Sequence, residues 1–343
     1  MIFAGAERAG QSIAGLPAAA RAVRAAVGLG HRRVLVTTPD PWEPEPALRQ
    51  EVLRLAEGAE LAFAPEARAL TQEPHAAVLG GWQLLSGAEP AAPVTAAQVD
   101  PAGLERLRAC ADSPAALSRQ IVRQTAKPGD GIISRHLNRK ISQAISLRLL
   151  QLDWVRPIHA TWGTALLAAA MLVALLLGTR AGLIAGALLF QAASIFDGVD
   201  GEIARATYRS TAEGARLDSL IDAATNFACI GGVAWNLQLQ GITDAALAGA
   251  AGLAMLITGL TVIGLRSRDD REGLNFNAVK LHFSKRGSRV MQWLTWLTMR
   301  DFFAFAGAVL IVAGLAHFAL YAFAIVAAGW LIVVIAVMAR QSA

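Results

Sequence analysis

Six long apolar runs occupy the C-terminal part of the chain, at residues 158–178, 181–203, 216–236, 243–265, 302–318 and 320–339. Each approaches the roughly 20 residues that a helix needs to cross a bilayer. Backbone polar groups in lipid must be satisfied internally, so such runs read as transmembrane helices. The fold expected here is an α-helical membrane domain of six spans. Residues 1–130 are different, alternating short apolar runs with charge, Pro and Gly and containing no run of span length. Glu7 and Arg8 interrupt the apolar start, which argues against a signal peptide. A hydrophobic fraction of 55% and a mean hydropathy of +0.44 are too high for an ordinary soluble protein, while 17% charged residues are too many for a purely membranous one. Two domain types in one chain of 343 residues account for both values.

Cations mark one face of the expected bundle. Arg135, Arg139, Lys140, Arg148 and Arg156 precede the first span, and Arg205 and Arg209 lie between the second and third. Arg266, Arg268, Arg271, Lys280, Lys285, Arg286 and Arg289 lie between the fourth and fifth. The opposite turns, near Gln238–Thr243 and Ala316–Tyr321, carry no Lys or Arg, and the first–second turn has only Arg180. The positive-inside rule then puts both termini in the cytoplasm, at an inner membrane. The net charge of +5 suits anionic headgroups and nucleotides. No nucleic-acid motif accompanies it, and no nucleic-acid partner is expected. Cys110 and Cys229 fit no metal spacing and no disulfide framework.

Residues 1–112 read as a small soluble α/β domain: a strand at Met1–Gly5, a helix over Leu16–Val27, a strand at Arg33–Thr37, a helix over Glu45–Glu57 and a strand at Glu60–Ala64. Such alternation points to a parallel sheet. The segment GAERAGQSIAG between the first strand and helix has the Gly and Ser content of a phosphate-cradling loop. Residues 86–104, rich in Ala, Pro and Gly, are expected to include a loop.

Residues 113–156 form a basic juxtamembrane segment. Ile133, Leu137, Ile141, Ile145 and Leu149 recur every four residues, with Arg135, Arg139 and Lys140 mostly off that stripe. A helix at the membrane surface is expected, its cations toward phosphates. Between the fourth and fifth spans, Lys280, Lys285, Arg286 and Arg289 precede Trp293 and Trp296, as an interfacial belt or a set of cations for an acceptor phosphate.

Within 157–343, the stretch FDGVDGEIARATYRSTAEGARLDSLID places four carboxylates at the ends of two apolar segments. Asp197 and Asp200 share one helical face, as do Asp218 and Asp222. Acidic groups cost roughly 2.5–3.5 kcal/mol each near the centre of a span. Two antiparallel helices would aim all four at one point, the oxygen-rich environment that a pair of divalent ions requires. A transporter or channel would also use intramembrane carboxylates. It does not account for Gly201, Ala204 and Arg205 at fixed intervals, and a catalytically silent scaffold does not account for the complete acidic set.

The spacing D-x2-D-G-x2-A-R-x8-G-x3-D-x3-D, running from Asp197 through Gly214 to Asp222, resembles the signature of the CDP-alcohol phosphotransferases (CDP-alcohol phosphatidyltransferases). The resemblance implies transfer of a substituted phosphate, such as a phosphatidyl group from CDP-diacylglycerol, to an alcohol with release of CMP. It also implies two divalent ions, Mg²⁺ or Mn²⁺, a cytoplasm-facing polar cavity and a homodimer. On the same ground Asp197, Asp200, Asp218 and Asp222 hold the metals, and Asp222 is also general base. Gly201, Ala204, Arg205, Asp200 and Gly214 meet the nucleotide. The small Gly201 and Ala204 suit close approach of a cytidine, and equally suit helix packing. Arg205 suits a forked phosphate contact, or an interfacial cation. The first span of the family usually opens Pro-Asn-x-aliphatic-Thr; here Ile158 replaces the Asn, Pro157 and Thr161 remain, and His159 is a substitute donor or a polar anchor. Ser134-Arg135-x2-Asn138-Arg139 resembles the juxtamembrane element of fused family members, as an anchor or a substrate contact. The N-terminal segment resembles their cytidylyltransferase-like domain, but Arg8 sits among too few glycines and Leu16-Pro17 lacks a following lysine. A non-catalytic or regulatory domain contributing stability or dimer contacts is expected, with residual nucleotide binding as the alternative.

Overall fold

The computed structural model describes residues 1–86, 94–109, 113–127, 129–269 and 300–341, and the chain divides into two compact units. One comprises residues 1–126, 143–155 and 202–209, the other 127–142, 156–201 and 210–343. These boundaries differ from the three consecutive segments expected above. Cys110, residues 87–93 of the Ala/Pro/Gly stretch, and Arg271, Lys280, Lys285, Arg286, Arg289, Trp293 and Trp296 lie outside the described residues.

The first unit opens with α1 (Ala6–Gly10) and a hairpin of β1 (Ser12–Ile13) and β2 (Leu16–Pro17), then α2 (Ala18–Gly28). The strands β3 (Arg33–Thr38) and β4 (Glu60–Pro65) pair in parallel from Arg33 opposite Glu60 to Thr38 opposite Pro65. A parallel pair needs a crossover, which here is α3 (Pro46–Leu55), started by a proline at its first turn. The elements α4 (Glu66–Gln72), β5 (Ala77–Val78), α5 (Gln83–Ser86), β6 (Val94–Thr95), α6 (Pro101–Arg108) and α7 (Pro114–Gln124) follow. The expected first strand shrinks to Ile2, which bridges Thr37 and Gly80 in parallel before the chain turns into α1. The Gly/Ser segment is thus a short helix and a tight hairpin instead of an open loop. Alanines 18, 19, 20 and 22 are fully buried, so α2 lies close to a core of Phe3, Ile13, Leu16, Val23, Val36 and Val52. Gly81 makes room for Phe3, whose ring atoms lie 2.3–2.6 Å from where a β-carbon would be.

The second unit is helical: α9 (Pro157–Leu176), α11 (Ala212–Leu239), α12 (Thr243–Asp269), α13 (Arg300–Val312) and α14 (Ala316–Gln341), joined by most of α10 (Arg180–Ala206). The expected spans starting at 158, 181, 216, 243 and 320 fall largely on one of these helices each, whereas the expected span 302–318 is divided, because α13 ends at Val312 and α14 begins at Ala316. Four of them, Pro157–Leu176, Arg180–Ala206, Thr243–Ile263 and Ala316–Ala336, are long and apolar enough to cross a membrane. The helix α11 has the length but carries Glu213, Arg216, Asp218 and Asp222, and Asp301–Val312 is a shorter apolar helix. Side chains such as Leu166, Val173, Ile325 and Ile332 are at least 63% exposed, an apolar exterior suited to lipid and unsuited to water. Gly249, Gly252 and Gly259 on α12 admit Leu320, Phe323 and Trp330 of α14, the small-residue packing that membrane helices use.

A single π-helical turn, Ser134–Asn138, leads into α8 (Arg139–Leu149). Its buried stripe is not the expected one. Asn138, Ser142, Ser146 and Leu150 are buried, whereas Ile133, Leu137, Ile145 and Leu149 are half-buried and Ile141 is exposed. The inward face is polar because α10 presents polar groups. Gln191 donates to Asn138 Oδ1 at 3.0 Å, and the Ser146 hydroxyl donates to the buried Glu202 at 2.6 Å. The outward apolar residues remain available to a membrane surface.

Candidate active site

The two helices carrying the acidic motif end and begin within six residues of one another, which folds the motif back on itself. The helix α11 is started by Thr211, whose Oγ1 accepts the Gly214 amide at 3.0 Å. Asp197 on α10 and Asp218 and Asp222 on α11 are half-buried, and one carboxylate oxygen from each lies within 4.8 Å of the others. This cluster is all-oxygen and anionic, a donor set that fits a hard divalent cation.

Asp200 does not join that three-carboxylate group. It is 7% exposed, and its Oδ2 accepts the Thr161 hydroxyl from α9 at 2.8 Å, with Asp218 as a side-chain hydrogen-bond neighbour and Asp197 as an electrostatic one. The three-residue offset that puts Asp200 on the same side as Asp197 also turns it toward α9. Gly201, Ala204 and Arg205 are half-buried on the following turns of α10. The Arg205 Nε donates to the Thr125 carbonyl at 2.8 Å. Gly214 is exposed, and its N–H completes the α11 cap. His159 accepts the Arg156 amide at 3.1 Å through Nδ1 and so caps the start of α9.

A cavity of about 250 Å³ opens beside the carboxylates, lined among others by Asp197, Asp222, Ser134, Asn138, Arg139 and Ser194. Arg139 holds Asp130 in a fork, with Nε to Oδ2 at 2.7 Å and Nη2 to Oδ1 at 2.9 Å. Burial alone would raise the Asp130 pKa, but the hydrogen bonds and charge of Arg139, with help from Lys127, hold it below the usual carboxylate range. Gly198 lets this guanidinium lie against α10, since a β-carbon there would be 2.9 Å from Arg139 Nη1. Asp301, at the start of α13, reaches the same cavity and accepts the Ser134 amide at 2.6 Å. The π-turn places Ser134, Asn138 and Arg139 together on the cavity wall, a use of such turns common at functional sites.

Asp130, Ser194, Asp301 and Glu202 escaped the sequence reasoning. A lone Asp at the edge of an apolar run, as Asp301 is, has the same appearance as a helix cap. Its partner Ser134 is 167 positions away, and no periodicity connects the two.

The CDP-alcohol phosphatidyltransferase family model matches residues 154–338. Among curated proteins, a bifunctional IPC transferase and DIPP synthase of Aquifex aeolicus (strain VF5) is 44% identical over 116 residues, 32% of this chain and 24% of that protein. The protein of that description from Thermococcus kodakarensis is 41% identical over 105 residues, 30% of this chain and 23% of its own. The one from Archaeoglobus fulgidus is 39% identical over 106 residues, 29% and 19% of the two chains. The chain thus spans about a quarter or less of the length of the curated relatives it matches. The family match is of another order, since it takes in more than half of the chain and both helices of the acidic cluster, and on that basis the chain belongs to the CDP-alcohol phosphatidyltransferase family.

Proposed function

We propose that this protein is a membrane-embedded CDP-alcohol phosphotransferase, moving a substituted phosphate from a CDP-alcohol to the hydroxyl of an acceptor alcohol and releasing CMP. The observation that carries this reading is the Asp197, Asp218 and Asp222 cluster at the edge of a polar cavity. The acceptor oxygen attacks the phosphorus distal to cytidine, the bond from that phosphorus to the bridging oxygen breaks, and the electron pair leaves with CMP. Asp222 faces the cavity and takes the acceptor proton. Asp197 and Asp218, with Asp222, hold divalent metal, Mg²⁺ or Mn²⁺, and Asp200 is oriented beside them by Thr161. A cation bound there supplies charge neutralisation for the pyrophosphate and its developing negative charge. Ser134, Asn138, Ser194 and the Arg139–Asp130 pair orient the acceptor, and a space of about 250 Å³ suits a small polar alcohol.

Gly201 and Ala204 leave space along α10 for the cytidine. The six helices form one bundle with the site at the cytoplasmic face of the inner membrane, in accord with the loop cations. The protein works as a homodimer, and its N-terminal segment has a cytidylyltransferase-like fold without that catalysis. The test is CMP release by the purified protein. CDP-diacylglycerol and soluble CDP-polyols serve as donors; glycerol phosphate, inositol, inositol phosphate and serine serve as acceptors, with and without Mg²⁺. Release that requires both a donor and an acceptor is expected. No release from any pair, with either metal, overturns the reading.

A further inference from the structure

The end of α10 is held in an unusual way. The Arg209 amide donates to Ala204 O at 2.8 Å and the Tyr208 amide to Arg205 O at 3.4 Å, the paired bonds of a Schellman turn. Its left-handed position, at which glycine is the usual residue, is Tyr208, with φ at 53°. A bulky residue there is strained and persists only where its surroundings enforce it. The carbonyls that such a turn leaves over are those of Ala206, Thr207 and Tyr208. Arginines of the N-terminal segment take all three. Arg21 Nη2 donates to Ala206 O at 2.6 Å, while Arg54 donates to Thr207 O and Tyr208 O at 3.0 Å each. Arg21 is 4% exposed and is itself fixed by Nε to Ile13 O at 2.6 Å. The guanidinium carbons of Arg21 and Arg24 lie 5.9 and 5.6 Å from the centre of the Tyr208 ring. Glu51 joins the set by accepting from both Arg54 and Arg209.

We infer that Arg21 and Arg54 are positioning residues of the transferase site: they cap α10 and hold its Tyr208 turn left-handed, and so fix Ala204 and Arg205. This rests on the reading of that helix given above. Cationic donors suit a helix C-terminus, where carbonyls and macrodipole both present negative charge. The N-terminal segment on this account serves the site without chemistry of its own, and residues 131–343 alone would lack these donors.

Arg54, unlike Arg21, is 32% exposed, so Arg54→Gln is the variant that leaves the core intact. In the full chain in detergent, it should speed amide hydrogen exchange at Thr207–Arg209. It should also weaken CMP binding in Mg²⁺ by roughly fivefold, the equivalent of one hydrogen bond of about 1 kcal/mol, with little change in melting temperature. Glycine adopts the left-handed turn without strain, so Arg54→Gln/Tyr208→Gly should recover both slow exchange and CMP affinity, and Arg54→Lys should recover part. Unchanged exchange in Arg54→Gln, or a double variant worse than either single one, overturns the inference. Wild-type protein that binds no CMP refutes the transferase reading instead, and the exchange pattern alone then decides the cap.

Discussion

Thr161 donates its hydroxyl to Asp200 Oδ2 at 2.8 Å, joining the first turns of α9 to the acidic end of α10 through two buried side chains. The hydroxyl that family resemblance marks at the start of the first span thus holds a carboxylate of the motif. A carboxylate fixed in this way presents its other oxygen in one direction, which is what placing a cation or a phosphate beside it requires.

Thr161→Val keeps the shape and removes the donor. An unsatisfied buried acceptor costs about 1–3 kcal/mol, more when charged. The variant should melt several degrees lower and lose roughly tenfold or more in CMP release, a barrier change of about 1.4 kcal/mol. Thr161→Ser should restore both. Wild-type behaviour of Thr161→Val in melting and turnover would show that the bond does nothing.

Asp218→Asn should abolish CMP release and weaken Mn²⁺ binding while the protein still elutes as a folded particle. Three carboxylate oxygens within 4.8 Å repel one another without a cation. Excess EDTA should have the same effect on wild type, reversed by Mg²⁺. Full activity in EDTA would remove the metal from the mechanism.

Gly198→Ala puts a β-carbon 2.9 Å from Arg139 Nη1 and 3.3 Å from Ser142 Oγ. The guanidinium must move, and with it the Asp130 fork on the cavity wall. The acceptor KM should rise roughly tenfold, the equivalent of one charge-assisted hydrogen bond, with donor KM nearly unchanged. Equal rises in both would mean that the cavity is not the acceptor's.

The Asp130–Arg139 pair gives stability an acid limb. The Asp130 pKa is depressed in the folded protein, so below the ordinary value of about 3.9 the unfolded state binds the proton first. The pair's contribution is complete above that pH and is lost as pH falls through the folded value. Melting temperatures measured from pH 6 to pH 3 should fall less steeply for Asp130→Asn than for wild type. Parallel curves would assign the acid limb to other carboxylates.

Incubated with labelled CTP, Mg²⁺ and polyol phosphates, the full chain should form no pyrophosphate. Its Gly5–Gly15 stretch is occupied by α1 and a hairpin, and a helix dipole by itself gains only about 0.3–1 kcal/mol for an anion. Formation of a CDP-alcohol would make the chain bifunctional.

Local chemistry made much of this protein legible in one dimension. Apolar run length marks the helices, because a bilayer demands it, and the i, i+3 and i, i+4 spacings of Asp197, Asp200, Asp218 and Asp222 put them on shared faces, because 3.6 residues make a turn. The parallel pair of β3 and β4 was equally visible in its alternation with helices. Contacts distant in sequence decided the rest. The contact of Asp200 with Thr161 on α9, beside the converging Asp197, Asp218 and Asp222, is one of them. The inward face of α8 depends on Gln191 and Glu202 awaiting partners: hydrophobic periodicity favours Ile141, but an unsatisfied buried polar group costs more than an exposed isoleucine. Asp301 meeting Ser134, and Arg21 and Arg54 meeting the end of α10, join residues more than 150 positions apart, and no local propensity encodes such a meeting.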